Sequence, residues 1–95
     1  MALLDLLGRR WALRALWELR DGPLQFRALQ ARCGGISSSV LNNRLTELRA
    51  AGIVEHAQGG YALSEEGGQL LGGLEPLQAW SERWAGRAVR PRASA

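Results

Sequence analysis

The sequence predicts a mainly α domain carrying one small β-hairpin. Three observations lead there. Apolar residues recur at helical spacing in separate stretches along the chain. Gly-containing breaks at 21–23, 34–35 and 52 part those stretches. One pair of short extended runs, 53–57 and 61–63, flanks a Gly-Gly turn.

The first helix is expected over Leu3–Arg20, a segment rich in Leu, Ala, Arg and Glu. Ala12, Ala15, Leu16 and Leu19 fall on one face, widened by Leu13 and Trp17, while Gly8 weakens the opening turns. Asp21-Gly22-Pro23 stops it, because glycine closes helices and proline cannot continue one. A short second helix follows over Leu24–Cys33, with Phe26 and Leu29 packing on one side, and Gly34-Gly35 breaks it.

Ser37 opens the third helix, where its hydroxyl can satisfy a first-turn amide. Leu41, Leu45 and Leu48 stand at i, i+4 and i+7 and form one buried stripe, flanked by Val40, Arg44 and Ala51. Ser39, Asn42, Asn43 and Thr46 lie opposite, and Gly52 ends the helix. Ile53–Ala57 and Tyr61–Leu63 make the hairpin around Gln58-Gly59-Gly60. Ser64 caps a last helix with Glu65 and Glu66 in its first turn, where acidic groups suit the positive helix end. That helix carries Leu70, Leu71, Leu74, Leu77, Trp80 and Trp84; Pro76 is expected to bend or divide it.

The chain of 95 residues is expected to form one domain over 1–86, followed by a basic, disordered tail over 87–95. With 46% hydrophobic and 22% charged residues, global disorder is excluded. No apolar run reaches the ~18–20 residues of a membrane span, and the N-terminus has no signal-peptide pattern. The net charge is +3, and all 12 basic residues are arginine. This mild balance favours a polyanionic partner, and arginine suits both phosphate and guanine. The single Cys33 permits no intrachain disulfide, and one His with one Cys makes no intrachain metal site, so no cofactor and a cytoplasmic location are expected. No nucleophile–base set surrounds His56, so an enzyme is not expected.

Two helices joined by a Gly-containing turn and followed by a hairpin make a winged helix-turn-helix. In that arrangement the third helix must enter a major groove ~12 Å wide, and its outward face must be short and polar. Ser39, Asn42, Asn43 and Thr46 meet that requirement; asparagine can bond both N6 and N7 of adenine. Two adjacent asparagines also cost helix propensity, which a merely solvated face would avoid by using Glu or Lys.

Five segments, in order and at natural spacing, carry a resemblance: LLGRRWALRALWEL, GPLQFRAL, GGISSSVLNNRLTELRAAGIV, YALSEEG and LQAW. Across about Leu6 to Trp84 the sequence resembles the HxlR-type branch of bacterial winged-helix regulators. The resemblance implies a three-helix winged domain plus a C-terminal dimerisation helix. It implies a homodimer that binds double-stranded DNA at an inverted-repeat operator and regulates transcription. It implies DNA contacts from Ser37, Ser38, Ser39, Asn42, Asn43 and Thr46, with Arg44 and Arg49 as phosphate partners; Arg27 and Arg32 could also reach phosphates. Arg44 lies at the edge of the buried stripe, so an internal salt bridge is its alternative role.

Two departures from the family stand out. The hairpin turn is short and uncharged, which argues against minor-groove reading. The cysteine that many members carry ahead of the first helix is missing. Cys33 occupies another position and reads as a small buried residue or a redox sensor, whose thiol Arg27 and Arg32 could activate. Trp17, Leu77, Trp80 and Trp84 read as dimer interface, or as an aromatic slot for a planar small-molecule effector. The rival function is a winged-helix dimer that has lost DNA binding and serves protein pairing or small-molecule capture.

Overall fold

The structure, a computed structural model, describes residues 2–87. Five helices and one hairpin follow in the order α1 (Ala2–Leu7), α2 (Ala12–Glu18), α3 (Phe26–Cys33), α4 (Ser38–Ala50), β1 (Val54–Ala57), β2 (Gly60–Leu63) and α5 (Glu65–Arg87). This is the mainly α architecture with a small hairpin that the sequence predicts.

The first expected helix is in fact two. Trp11 has φ 78°, a left-handed conformation that interrupts the α-helical ladder. Such a residue costs ~1–3 kcal/mol and persists only where its surroundings hold it. Here the indole packs against the core, and the Arg10 guanidinium lies 5.5 Å from the ring centre. The corner is otherwise closed by tight turns, with Arg9 N donating to Leu6 O at 3.3 Å and Ala12 N to Arg9 O at 3.1 Å. Periodicity continues across this corner, so it was invisible to a pattern of apolar residues.

Burial follows the stripes. Ala12, Ala15 and Leu16 are buried on α2 with Leu19 just past its end, Leu29 and Cys33 on α3, and Leu41, Leu45 and Leu48 on α4. Ile36, Ile53 and Val54 complete the cluster. Each fully buried leucine contributes ~1.5–3 kcal/mol relative to exposure.

The helix α3 starts at Phe26 rather than Leu24, because Leu24 is used differently. Its amide and carbonyl exchange hydrogen bonds with Tyr61 (2.9 and 2.8 Å), docking the linker onto the wing. The hairpin is antiparallel, with Val54 opposite Leu63 and Ala57 opposite Gly60. Ile53 falls just outside the strand; its amide closes the end of α4 on Leu48 O at 3.0 Å, behind Gly52 at φ 78°.

Ser64 caps α5 as expected: its Oγ accepts from Gly67 N at 3.0 Å and lies within bonding distance of the Gly52 and Ile53 carbonyls. Pro76 does not divide α5, which runs through it to Arg87. Gly72, whose carbonyl would have received the missing amide, is exposed, so solvent can satisfy it. Arg87, expected to open the tail over 87–95, is still helical; residues 88–95 lie outside the described residues. Among the described residues, no helix is long and apolar enough to cross a membrane.

Gly67 is a packing requirement. A Cβ there would collide with the Ile53 carbonyl oxygen, so the wing and α5 meet only across a glycine. Gly67→Ala is expected to destabilise the protein by ~2–3 kcal/mol, whereas Gly68→Ala, with open space around it, should be neutral or stabilising. Paired urea melts check the contrast; equal midpoints would refute the packing role.

Candidate nucleic-acid interface

The interface is built on α4. Ser37, in extended conformation at φ −77°, caps it and accepts from Val40 N at 3.2 Å. Gly34 (φ 67°) and Gly35 (φ 86°) make the turn before it, in a backbone region that favours glycine. Gln30 of α3 spans that turn: its Nε2 donates to Ile36 O at 3.2 Å and to Ser38 Oγ at 3.1 Å. Gln30 was missed in the sequence, because its partners Ile36 and Ser38 lie across the glycine turn and a single polar residue carries no periodic signal.

With Leu41, Leu45 and Leu48 buried, the opposite face is turned out. Ser37, Ser38, Ser39, Asn42, Asn43, Thr46 and Arg49 are all exposed. Of these, the side chains of the asparagines, Thr46 and Arg49 make no hydrogen bond or ion pair among the described residues, and the Ser37 and Ser39 hydroxyls face one another at 3.4 Å. Arg27 is exposed on α3.

Arg44 behaves differently. Its side chain is only 14% exposed, its Nε stands 3.1 Å from Glu47 Oε1, and Nη1 reaches Arg10 O at 3.5 Å. Arg9 Nε approaches the other oxygen of Glu47 at 3.5 Å. Of the two roles open in the sequence, the internal ion pair is present, within α4, and Nη1 also reaches the α1–α2 corner. The first-helix corner at Trp11 therefore sits beside the recognition helix, which no spacing rule anticipated.

The apolar residues of the other side gather on a second surface. Leu3, Leu4, Leu13, Leu77, Trp80 and Trp84 are all exposed. Trp80 and Trp84 stack on each other at 5.8 Å between centroids, with planes 8° apart. A cleft of about 410 Å³ between α2 and α5 is lined by Leu13, Arg14, Trp17, Leu71, Leu74 and Leu77, among others. Arg14 pairs with Glu18 at 2.9 Å and donates to Arg32 O at 2.9 Å, joining this cleft to the end of α3.

Cys33 lies at that end and is buried. Burial pushes its thiol up from the ordinary value, Arg14 pulls it partly back, and Glu18 adds a small upward push. The expected activation by Arg27 and Arg32 is not found; the arginine that acts is Arg14, and desolvation outweighs it.

A short helix, a glycine turn, a second helix with an outward polar face and a two-stranded wing together define a winged helix-turn-helix regulator. The chain belongs to the HxlR-like helix-turn-helix family, whose model matches residues 6–89. It is 33% identical over 87 residues to the HTH-type transcriptional regulator YodB of Bacillus subtilis, covering 84% of this chain and 78% of that one. It is 25% identical over 88 residues to the HTH-type transcriptional regulator MJ0925 of Methanocaldococcus jannaschii, covering 88% and 83%. The crystal structure of quinone-bound YodB superposes with a TM-score of 0.81 at 34% identity, covering 86% of this chain and 93% of that one.

Because the folded thiol of Cys33 holds its proton more tightly than the unfolded one, the native state binds more protons as pH rises past the unfolded value near 9.0. Its contribution to stability is therefore full below that value and is lost as pH climbs through the raised folded one. Iodoacetamide at about pH 8 should modify native protein at least ~10-fold more slowly than urea-unfolded protein. Equal rates would show that the thiol is accessible.

Proposed function

We propose that this chain is a sequence-specific, DNA-binding transcriptional regulator that acts as a homodimer on an inverted-repeat operator. The observation that carries the reading is the outward face of α4: Ser39, Asn42, Asn43 and Thr46, short, polar and exposed on a helix whose opposite face is buried. Such a face can approach base edges, and asparagine pairs bidentately with adenine. Ser37 and Ser38 at the helix start, with Arg49 and Arg27, are assigned to phosphates; phosphate contacts position the helix and base contacts specify the site. Arg44 is assigned to holding α4 in place.

Two such helices must stand ~34–36 Å apart to enter successive major grooves. The exposed apolar surface of α1, α2 and α5 supports pairing, because a small domain seldom leaves so many large side chains in water. Trp17, Leu77, Trp80 and Trp84 are assigned to that interface. The work of such a protein is binding without catalysis, in the cytoplasm where the chromosome lies.

One observation favours a second reading. The α2–α5 cleft is apolar and joined through Arg14 to the end of α3. A winged-helix dimer that captures a small planar molecule there, with or without DNA, would use the same residues. The likeness to a YodB structure solved with quinone supports that class of effector.

Fluorescence anisotropy against the duplex flanking the chain's own gene tests the first reading. Asn42→Ala and Asn43→Ala should each cost ~1–3 kcal/mol on the preferred duplex and little on random sequence. Arg49→Ala should weaken both duplexes alike and reduce the salt slope by ~1. A folded dimer without selective binding would transfer the conclusion to the capture module.

Sedimentation equilibrium checks the pairing. Wild type should sediment as a dimer at micromolar concentration, and Trp80→Ala/Trp84→Ala should weaken association by at least ~10-fold, as loss of two large aromatic anchors would. An unchanged association constant would place the interface elsewhere.

A further inference from the structure

The wing tip does not project. Gln25 Nε2 donates to Gln58 O at 3.4 Å, Tyr61 and Leu24 exchange backbone bonds, and a Cβ at Gly59 would lie 3.3 Å from the Pro23 ring. The turn is folded against the α2–α3 linker, and the first strand is the one that borders α4. There, an open groove of about 460 Å³ separates the outward end of α4 from β1, lined by Thr46, Arg49, Ala50, Val54, Glu55 and His56.

Three donors border this groove. Thr46 and Arg49 stand three residues apart on the outward side of α4, and Arg49 has no ion-pair partner among the described residues. Across from them is His56, whose ring is exposed but not loose. It stacks on Tyr61 at 4.2 Å with planes 2° apart, and Tyr61 in turn meets Phe26 edge-on at 6.4 Å. A stacked imidazole has little rotamer freedom left to lose, so it is pre-organised for one contact.

We infer that this groove seats a backbone phosphate of the bound duplex, with His56 as the wing's contribution to DNA binding. The inference rests on the DNA-binding reading and deepens it. A helix lying in the major groove with Thr46 toward the bases places the residue one turn on, Arg49, at the groove's edge, where a phosphate strand passes. The hydroxyl, the guanidinium and the imidazole are all donors, which suits an anion.

The test compares wild type, His56→Ala and His56→Arg by anisotropy over a range of salt. Two duplexes are used, the one flanking the chain's gene and a random sequence of equal length, because a phosphate contact acts on both. His56→Ala should weaken binding to both duplexes roughly three- to tenfold. His56→Arg should bind at least as tightly as wild type, with a salt slope steeper by ~1 per site. Circular dichroism checks folding, and if His56→Ala is unfolded the arginine variant decides alone, an unchanged slope overturning the assignment. A folded alanine variant that binds both duplexes as wild type does overturns the groove assignment while leaving the DNA reading intact. Folded wild type that binds neither duplex overturns both.

Discussion

Three leucines one helical turn apart on α4 set the geometry on which everything else depends. Burying Leu41, Leu45 and Leu48 against Leu16, Leu19 and Leu29 fixes the rotation of α4 about its own axis. A helix has only one opposite side, so the same burial decides which residues meet solvent. Ser39, Asn42, Asn43 and Thr46 are presented because the leucines are hidden. A reading face thus needs no positioning device beyond the core, and its rigidity is that of a close-packed interior.

Polar ties refine what packing starts. Gln30 bridges the glycine turn to Ser38, and Ser37 caps the helix, so the N-terminal end of α4 is held from two sides. At mid-helix, Glu47 gathers Arg44 and Arg9, and Arg44 reaches the backbone of Arg10. Arg9 and Glu47 are partly exposed, so that ion pair adds little stability by itself. Together these contacts join the left-handed corner at Trp11 to α4. The path from the α2–α5 cleft runs differently, through Arg14 to the carbonyl of Arg32 just before the turn. Both connections end on segments that set the attitude of α4.

The wing shows how short elements constrain each other. Leu24 and Tyr61 exchange backbone bonds, Gly60 allows Leu24 to approach, and Gly67 lets α5 start against Ile53. Side chains at either glycine would separate the hairpin from the three-helix body. The tip is drawn inward as a result, and the strand facing α4 becomes the exposed edge. The long helix α5 then leaves the body with its outer apolar residues, Leu77, Trp80 and Trp84, in water. A surface of this kind on a small domain is one that association would cover.

The sequence by itself determined the fold class, the buried stripes of α2 and α4, both serine caps, the hairpin and the composition of the outward face. These follow from local physics: periodicity, capping chemistry and the conformational freedom of glycine act over a few residues and are written in order. The break at Trp11 was not legible, since apolar spacing runs straight through it and only tertiary packing holds a tryptophan in a left-handed conformation. Nor was the continuity of α5 through Pro76, because proline's cost depends on whether the orphaned carbonyl reaches water. The role of Arg44 was balanced between two partners until Glu47 and Arg10 were placed beside it. His56 was considered in the sequence only as a catalytic or metal-binding candidate and set aside, until the fold set Thr46 and Arg49 across a groove from it. In each case the deciding neighbour is distant in sequence, and only the packed chain brings it within the few ångströms over which charge, stacking and hydrogen bonding act.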